Sequence, residues 1–74
     1  MITERDRCAL KEGDIVSRKF RGGVVNYAIV ATTLSKKYFW VRELGFGNDG
    51  FYDENHDLTE PTWSVVAGNV GAAQ

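Results

Sequence analysis

Hydrophobic and polar positions alternate with a period near two along much of this chain, the pattern of strands with one face buried. Ile15-Val16-Ser17-Arg18-Lys19-Phe20 opens with β-branched residues and closes on an aromatic ring, which predicts a first strand over about 14–20. Arg21-Gly22-Gly23 reads as a hairpin turn, because adjacent glycines tolerate the positive φ of tight turns. Val24 to Leu34 predicts a long second strand (24–34), rich in valine, isoleucine, threonine and tyrosine, with no competing helical period. A short turn at Ser35-Lys36 or Lys36-Lys37 leads to the clearest strand, Lys37 to Leu44. Gly45 to Gly50 is loop material. Residues 51–60 are expected to begin with a brief strand and continue as an acidic loop. Thr62 to Val66 then forms the last strand, just after Pro61, which cannot occupy a central one.

Short strands joined by short turns predict an all-β fold: a small barrel or a strongly bent five-stranded antiparallel sheet. Before it, residues 1–12 read as a short N-terminal arm, weakly ordered or one turn of helix. Thr3 and Asp6 are spaced as a cap, and Cys8, Ala9 and Leu10 are placed to pack back on the body. Residues 13–66 form the domain, and 67–74, small and glycine-dotted, a loose tail. The phrase Leu10-Lys11-Glu12-Gly13-Asp14-Ile15-Val16 resembles the opening of SH3-like barrels of the KOW and Tudor kind, in which a Gly-Asp turn feeds the first barrel strand. The order of strands and turns is similar over about residues 10–66. The resemblance implies an architecture only, because no site motif of those families maps onto these residues. Val16, Phe20, Val25, Tyr27, Ile29, Phe39, Val41 and Trp63 are the expected core.

At 74 residues the chain has room for one domain and a marginal core. No apolar run approaches a membrane span, and the charged first residues lack the pattern of a secretory signal. The lone cysteine, Cys8, allows no internal disulfide, which suits a reducing cytoplasm. Arg5, Arg7 and Lys11 would favour its thiolate, but a half-buried structural residue is the expectation. One Cys and one His, His56, cannot complete a structural zinc site.

Charge changes the picture more. Residues 1–42 hold all nine basic residues and four acids, a net +5, whereas 43–74 hold six acids and no Lys or Arg, a net −6. Such asymmetry points to nucleic acid or a charged protein as partner, unless the two signs interleave across neighbouring strands. Alternation on the third strand places Lys37, Phe39, Val41 and Glu43 on one face and Tyr38, Trp40, Arg42 and Leu44 on the other. With Phe39 and Val41 inward, Tyr38 and Trp40 become stacking surfaces beside Lys36, Lys37 and Arg42. Arg18, Lys19 and Arg21 would add to the same rim. Aromatic rings interleaved with cations suit single-stranded nucleic acid. In the opposite register Tyr38 and Trp40 are core, and exposed Phe39 and Val41 mark a protein or dimer interface.

The acidic segment supports a second function. Asp53-Glu54-Asn55-His56-Asp57 alternates oxygen ligands like a calcium loop, but Leu58 and Ser64 stand where that loop needs glycine and glutamate. Calcium is therefore not expected, nor any other cofactor. Catalysis is not expected either, because one histidine and isolated serines form no catalytic set. The leading expectation is a small, non-catalytic, cytoplasmic accessory module that contacts nucleic acid through Arg18, Lys19, Arg21, Lys36, Lys37, Tyr38, Trp40 and Arg42. The alternative is a protein-interaction or inhibitor module, homodimeric in one version. It would dock on a basic partner through Phe46, Asp49, Phe51, Tyr52, Asp53, Glu54, Asp57 and Glu60.

Overall fold

The computed structural model describes residues 1–44 and 52–67. A short helix, α1 (Glu4–Ala9), precedes five strands: β1 (Ile15–Phe20), β2 (Gly23–Ala31), β3 (Tyr38–Glu43), β4 (Asp53–Asp57) and β5 (Trp63–Ala67). All pairings are antiparallel, and the strands lie in the order β4-β3-β2-β1-β5. The fold is a small all-β sheet, as the alternation predicts.

The sheet is bent strongly without closing. In a flat sheet of this order, β4 and β5 would stand roughly 19 Å apart, at about 4.8 Å per strand. Instead, the ring centroids of His56 on β4 and Trp63 on β5 are 5.3 Å apart. The short 58–62 connection leaves no other way to join opposite edges. Irregularities in register between Ile29 and Ala31 and between Ile15 and Val16 supply local bends. No β4–β5 ladder forms among the described residues, so a closed barrel is not what the chain makes.

The concave face holds the core: Val16, Tyr27, Ile29, Phe39, Val41, Leu58 and Trp63, completed by Ile2 and Leu10 from the arm, with Val25 and Val65 partly buried against it. Phe20, expected inside, is 48% exposed. It ends β1 opposite Gly23, at the hairpin tip, beyond the reach of the core. The turn there uses Arg21 and Gly22 in the left-handed region (φ 51° and 78°) and Gly23 already belongs to β2, so only one glycine serves the turn.

The arm is integrated rather than loose. Thr3 Oγ1 accepts from the Asp6 N–H at 3.1 Å, capping α1 as its spacing suggests. No residue of α1 itself is buried, and its flanks, Ile2 and Leu10, are the anchors. Arg7 fastens it, donating to the carbonyls of Lys36 (3.0 Å) and Ile2 (3.1 Å). Cys8, expected to be half-buried, is exposed. In the next turn buried Asp14 accepts from the Lys11 N–H at 2.9 Å, and its backbone pairs with Ile29.

The boundaries shift modestly. β2 stops at Ala31 rather than Leu34, and the acidic run 53–57 is an edge strand rather than a loop. Its backbone pairs with β3 from Tyr38–Asp57 to Arg42–Asp53, and this pairing overrides the low strand propensity of its acidic residues.

Candidate functional site

Alternation and register together place each candidate side chain. Phe39 and Val41 are fully buried, so Tyr38, Trp40 and Arg42 face outward, with Tyr38 and Trp40 each 43% exposed. Their cross-strand partners on β4 are Asp57, Asn55 and Asp53 respectively. Directly opposed residues share a face, so the outer surface of β3–β4 is two rows of three: Tyr38, Trp40 and Arg42 beside Asp57, Asn55 and Asp53. Asn55 is the member that the residue pattern alone does not reveal. Only the pairing of 53–57 with β3 brings it beside Trp40.

Within these rows one cation, Arg42, stands beside two carboxylates, Asp53 and Asp57. Both Arg42 Nε (3.0 Å) and a terminal nitrogen (2.9 Å) reach Asp53 Oδ1. Lys37 Nζ lies 5.4 Å from the Tyr38 ring centroid, a cation–π contact. Asp57 Oδ1 accepts from both Thr59 N–H (2.9 Å) and Thr59 Oγ1 (2.5 Å). Those bonds, with smaller help from Lys37 and Arg7, hold the Asp57 carboxyl below its ordinary value against slight burial. Trp40 carries no cation and no stacked ring among the described residues.

The six cations proposed for nucleic acid do not gather. Lys36 and Lys37 lie at the β2–β3 turn, while Lys19 and Arg21 lie at the β1–β2 turn, at the other end of nine-residue β2. An extended strand of that length is roughly 30 Å long. Lys19 points outward opposite Val24. Arg18 lies on the inner face, where it donates to Tyr27 Oη (3.0 Å) and sits 5.0, 5.5 and 5.3 Å from the ring centroids of Phe20, Tyr27 and Trp63. Arg18 Nε and Trp63 Nε1 are buried without hydrogen-bond partners among the described residues, so three ring faces and the Tyr27 hydroxyl hold this guanidinium. Burial raises the Tyr27 phenol above its ordinary value, with nearby Arg18 opposing that shift. The charge halves, separate along the chain, interleave in space at β3–β4.

Among the acidic candidates, Tyr52 (78%), Asp53 and Glu60 are exposed. Glu54 points inward and contacts His56 Nε2 at 2.8 Å, with the His56 ring against Tyr27 and Trp63. Phe46, Asp49 and Phe51 lie outside the described residues. No grouping of potential metal ligands occurs among the described residues, and none of their helices is long and apolar enough to cross a membrane.

No protein-family model matches this chain, and neither a curated protein nor a solved structure is significantly similar to it.

Proposed function

We propose that this chain is a protein-binding module that recognises a basic partner surface through the outer face of β3–β4. The observation supporting this reading over nucleic acid is the Arg42–Asp53 pair beside Tyr38 and Trp40. It neutralises the one cation interleaved with the aromatics, and with Asp57 it leaves two carboxylates where phosphates would have to pass. Exposed tryptophan and tyrosine, by contrast, are the residues on which protein contacts most often turn. A guanidinium or ammonium from a partner can lie on the Trp40 ring and meet Asp53 or Asp57, contacts of the kind the chain already makes with Arg42 and Lys37.

The exposure of Tyr38 and Trp40 next to Lys36 and Lys37 also supports a second reading, a short stretch of single-stranded nucleic acid. The two readings differ in sign for one substitution. Asp53→Asn removes a carboxylate and releases Arg42. It should weaken binding of a short arginine-rich peptide and strengthen binding of a short thymidine oligonucleotide. Trp40 emission reports both, because Trp63, the other tryptophan, is fully buried. Oligonucleotide binding at low salt that rises in the variant, with no response to the peptide, would replace the protein-binding reading with the nucleic-acid one.

A further inference from the structure

We infer that the partner segment is an extended strand with basic side chains four residues apart, one for Asp53 and one for Asp57, and with its middle residue over Trp40. The inference rests on the protein-binding reading and adds the register of the ligand. Asp53 and Asp57 sit on the same outer face, at the two ends of β4, with the exposed Trp40 ring opposite the strand's midpoint. Among the described residues, each carboxylate is held by one oxygen only. Asp53 Oδ1 takes both bonds from Arg42, and Asp57 Oδ1 takes both from Thr59. Neither Oδ2 accepts a hydrogen bond among the described residues. Each aspartate is thus oriented by its neighbour and still offers an acceptor.

The same neighbours place a hydrogen-bond donor against each carboxylate. Arg42 lies against Asp53, and the Thr59 bonds favour the ionised form of Asp57. The spacing between them is that of β4 itself, about 13–14 Å for four residues of extended chain. An extended ligand running along β4 turns its residues i, i+2 and i+4 to one side, so cations at i and i+4 match the two aspartates and residue i+2 meets Trp40 and Asn55. Cations at i and i+3 point to opposite sides and can satisfy only one aspartate. Charge complementarity selects a basic strand over a second copy of this chain. A second β4 would bring its own Asp53 and Asp57 against the same carboxylates.

The test uses the full chain and two soluble peptides of identical composition, alternating in polarity, with two arginines at i and i+4 in one and at i and i+3 in the other. Affinity is read from Trp40 emission, and near-ultraviolet circular dichroism checks folding of each variant. The i,i+4 peptide should bind about fivefold more tightly, the effect of one additional exposed ion pair. That preference should vanish in Asp53→Asn and in Asp57→Asn, each of which leaves one carboxylate. Equal affinities in the unsubstituted chain would overturn the spacing while leaving the protein-binding reading in place. Failure of both peptides to bind, with the oligonucleotide binding instead, would overturn both.

Discussion

The two tryptophans of this chain do opposite things. Trp63, at the start of β5, is fully buried against Tyr27 and His56 and carries Arg18 on its ring. Trp40, in the middle of β3, is 43% exposed and touches no described ring or cation. Each has a companion arginine that repeats the contrast. Arg18 is half-buried among three aromatic rings, and Arg42 lies on the surface in an exposed pair with Asp53. The same residue types serve cohesion on the concave face and contact on the convex one. Which role each plays depends on how much water its surroundings exclude, since a cation on an aromatic ring is worth more when desolvated, whereas an exposed ion pair contributes little.

Substitution of the tryptophans is the most forceful way to break this comparison. Trp63→Ala should cost about 3–5 kcal/mol, the usual loss for a large buried aromatic. A domain of this size has only roughly 4–11 kcal/mol in total, so a denaturant melt should show a drastic loss of stability or no folded baseline. Trp40→Ala should change stability by no more than about 0.5 kcal/mol while abolishing peptide binding, read by calorimetry because the fluorescent reporter is gone. Comparable losses in the two variants would mean that Trp40 is a structural residue and not a contact surface.

The arginines sharpen the contrast at smaller scale. Arg18→Leu removes a partly desolvated cation–π cluster and leaves the buried Tyr27 hydroxyl without its donor. The expected cost is about 2 kcal/mol, or a fall of about 10 °C in Tm. Arg42→Leu should stay within about 1 kcal/mol, as exposed pairs do. Thermal melts of the two variants side by side decide whether the inner guanidinium is the more stabilising.

The smallest expected effect concerns pH. Asp57 is held below its ordinary carboxyl value, first by the Thr59 hydroxyl and then by the Thr59 N–H. A depressed carboxyl contributes stability above its unfolded value and loses it as pH falls through its folded one. Thr59→Val removes the hydroxyl donor, so the Asp57 titration followed by carboxyl NMR should move upward toward the ordinary range. An unchanged titration would mean that the backbone donor alone orients this aspartate, and would weaken its assignment as a preset acceptor on the outer face.

Much of this architecture was legible along the chain because strand alternation is a local property. The strand positions, the Thr3 cap and most of the core (Val16, Tyr27, Ile29, Phe39, Val41 and Trp63) follow from residue type and period. Phe20 was misleading because hydrophobicity says nothing about distance from the core, and a ring at a hairpin tip has nothing to pack under except its own arginines. Leu10 is legible as a residue that packs back on the body, but Ile2 lies across a helix with no buried residue, so no periodic signal announces it. Leu58 is equally isolated, one apolar residue between Asp57 and Thr59.

What the sequence determined by itself is which side chains share a face, because consecutive residues of a strand must point opposite ways. Which face turns inward was decided by the tertiary structure, when pairing with β2 and the curl toward β5 enclosed Phe39 and Val41 and left Tyr38 and Trp40 outside. The arrangement of charge was decided there too. Acids and bases lie in separate halves of the chain, but an antiparallel ladder sets residue 53 beside residue 42, and Coulomb attraction depends on distance through space rather than along the backbone.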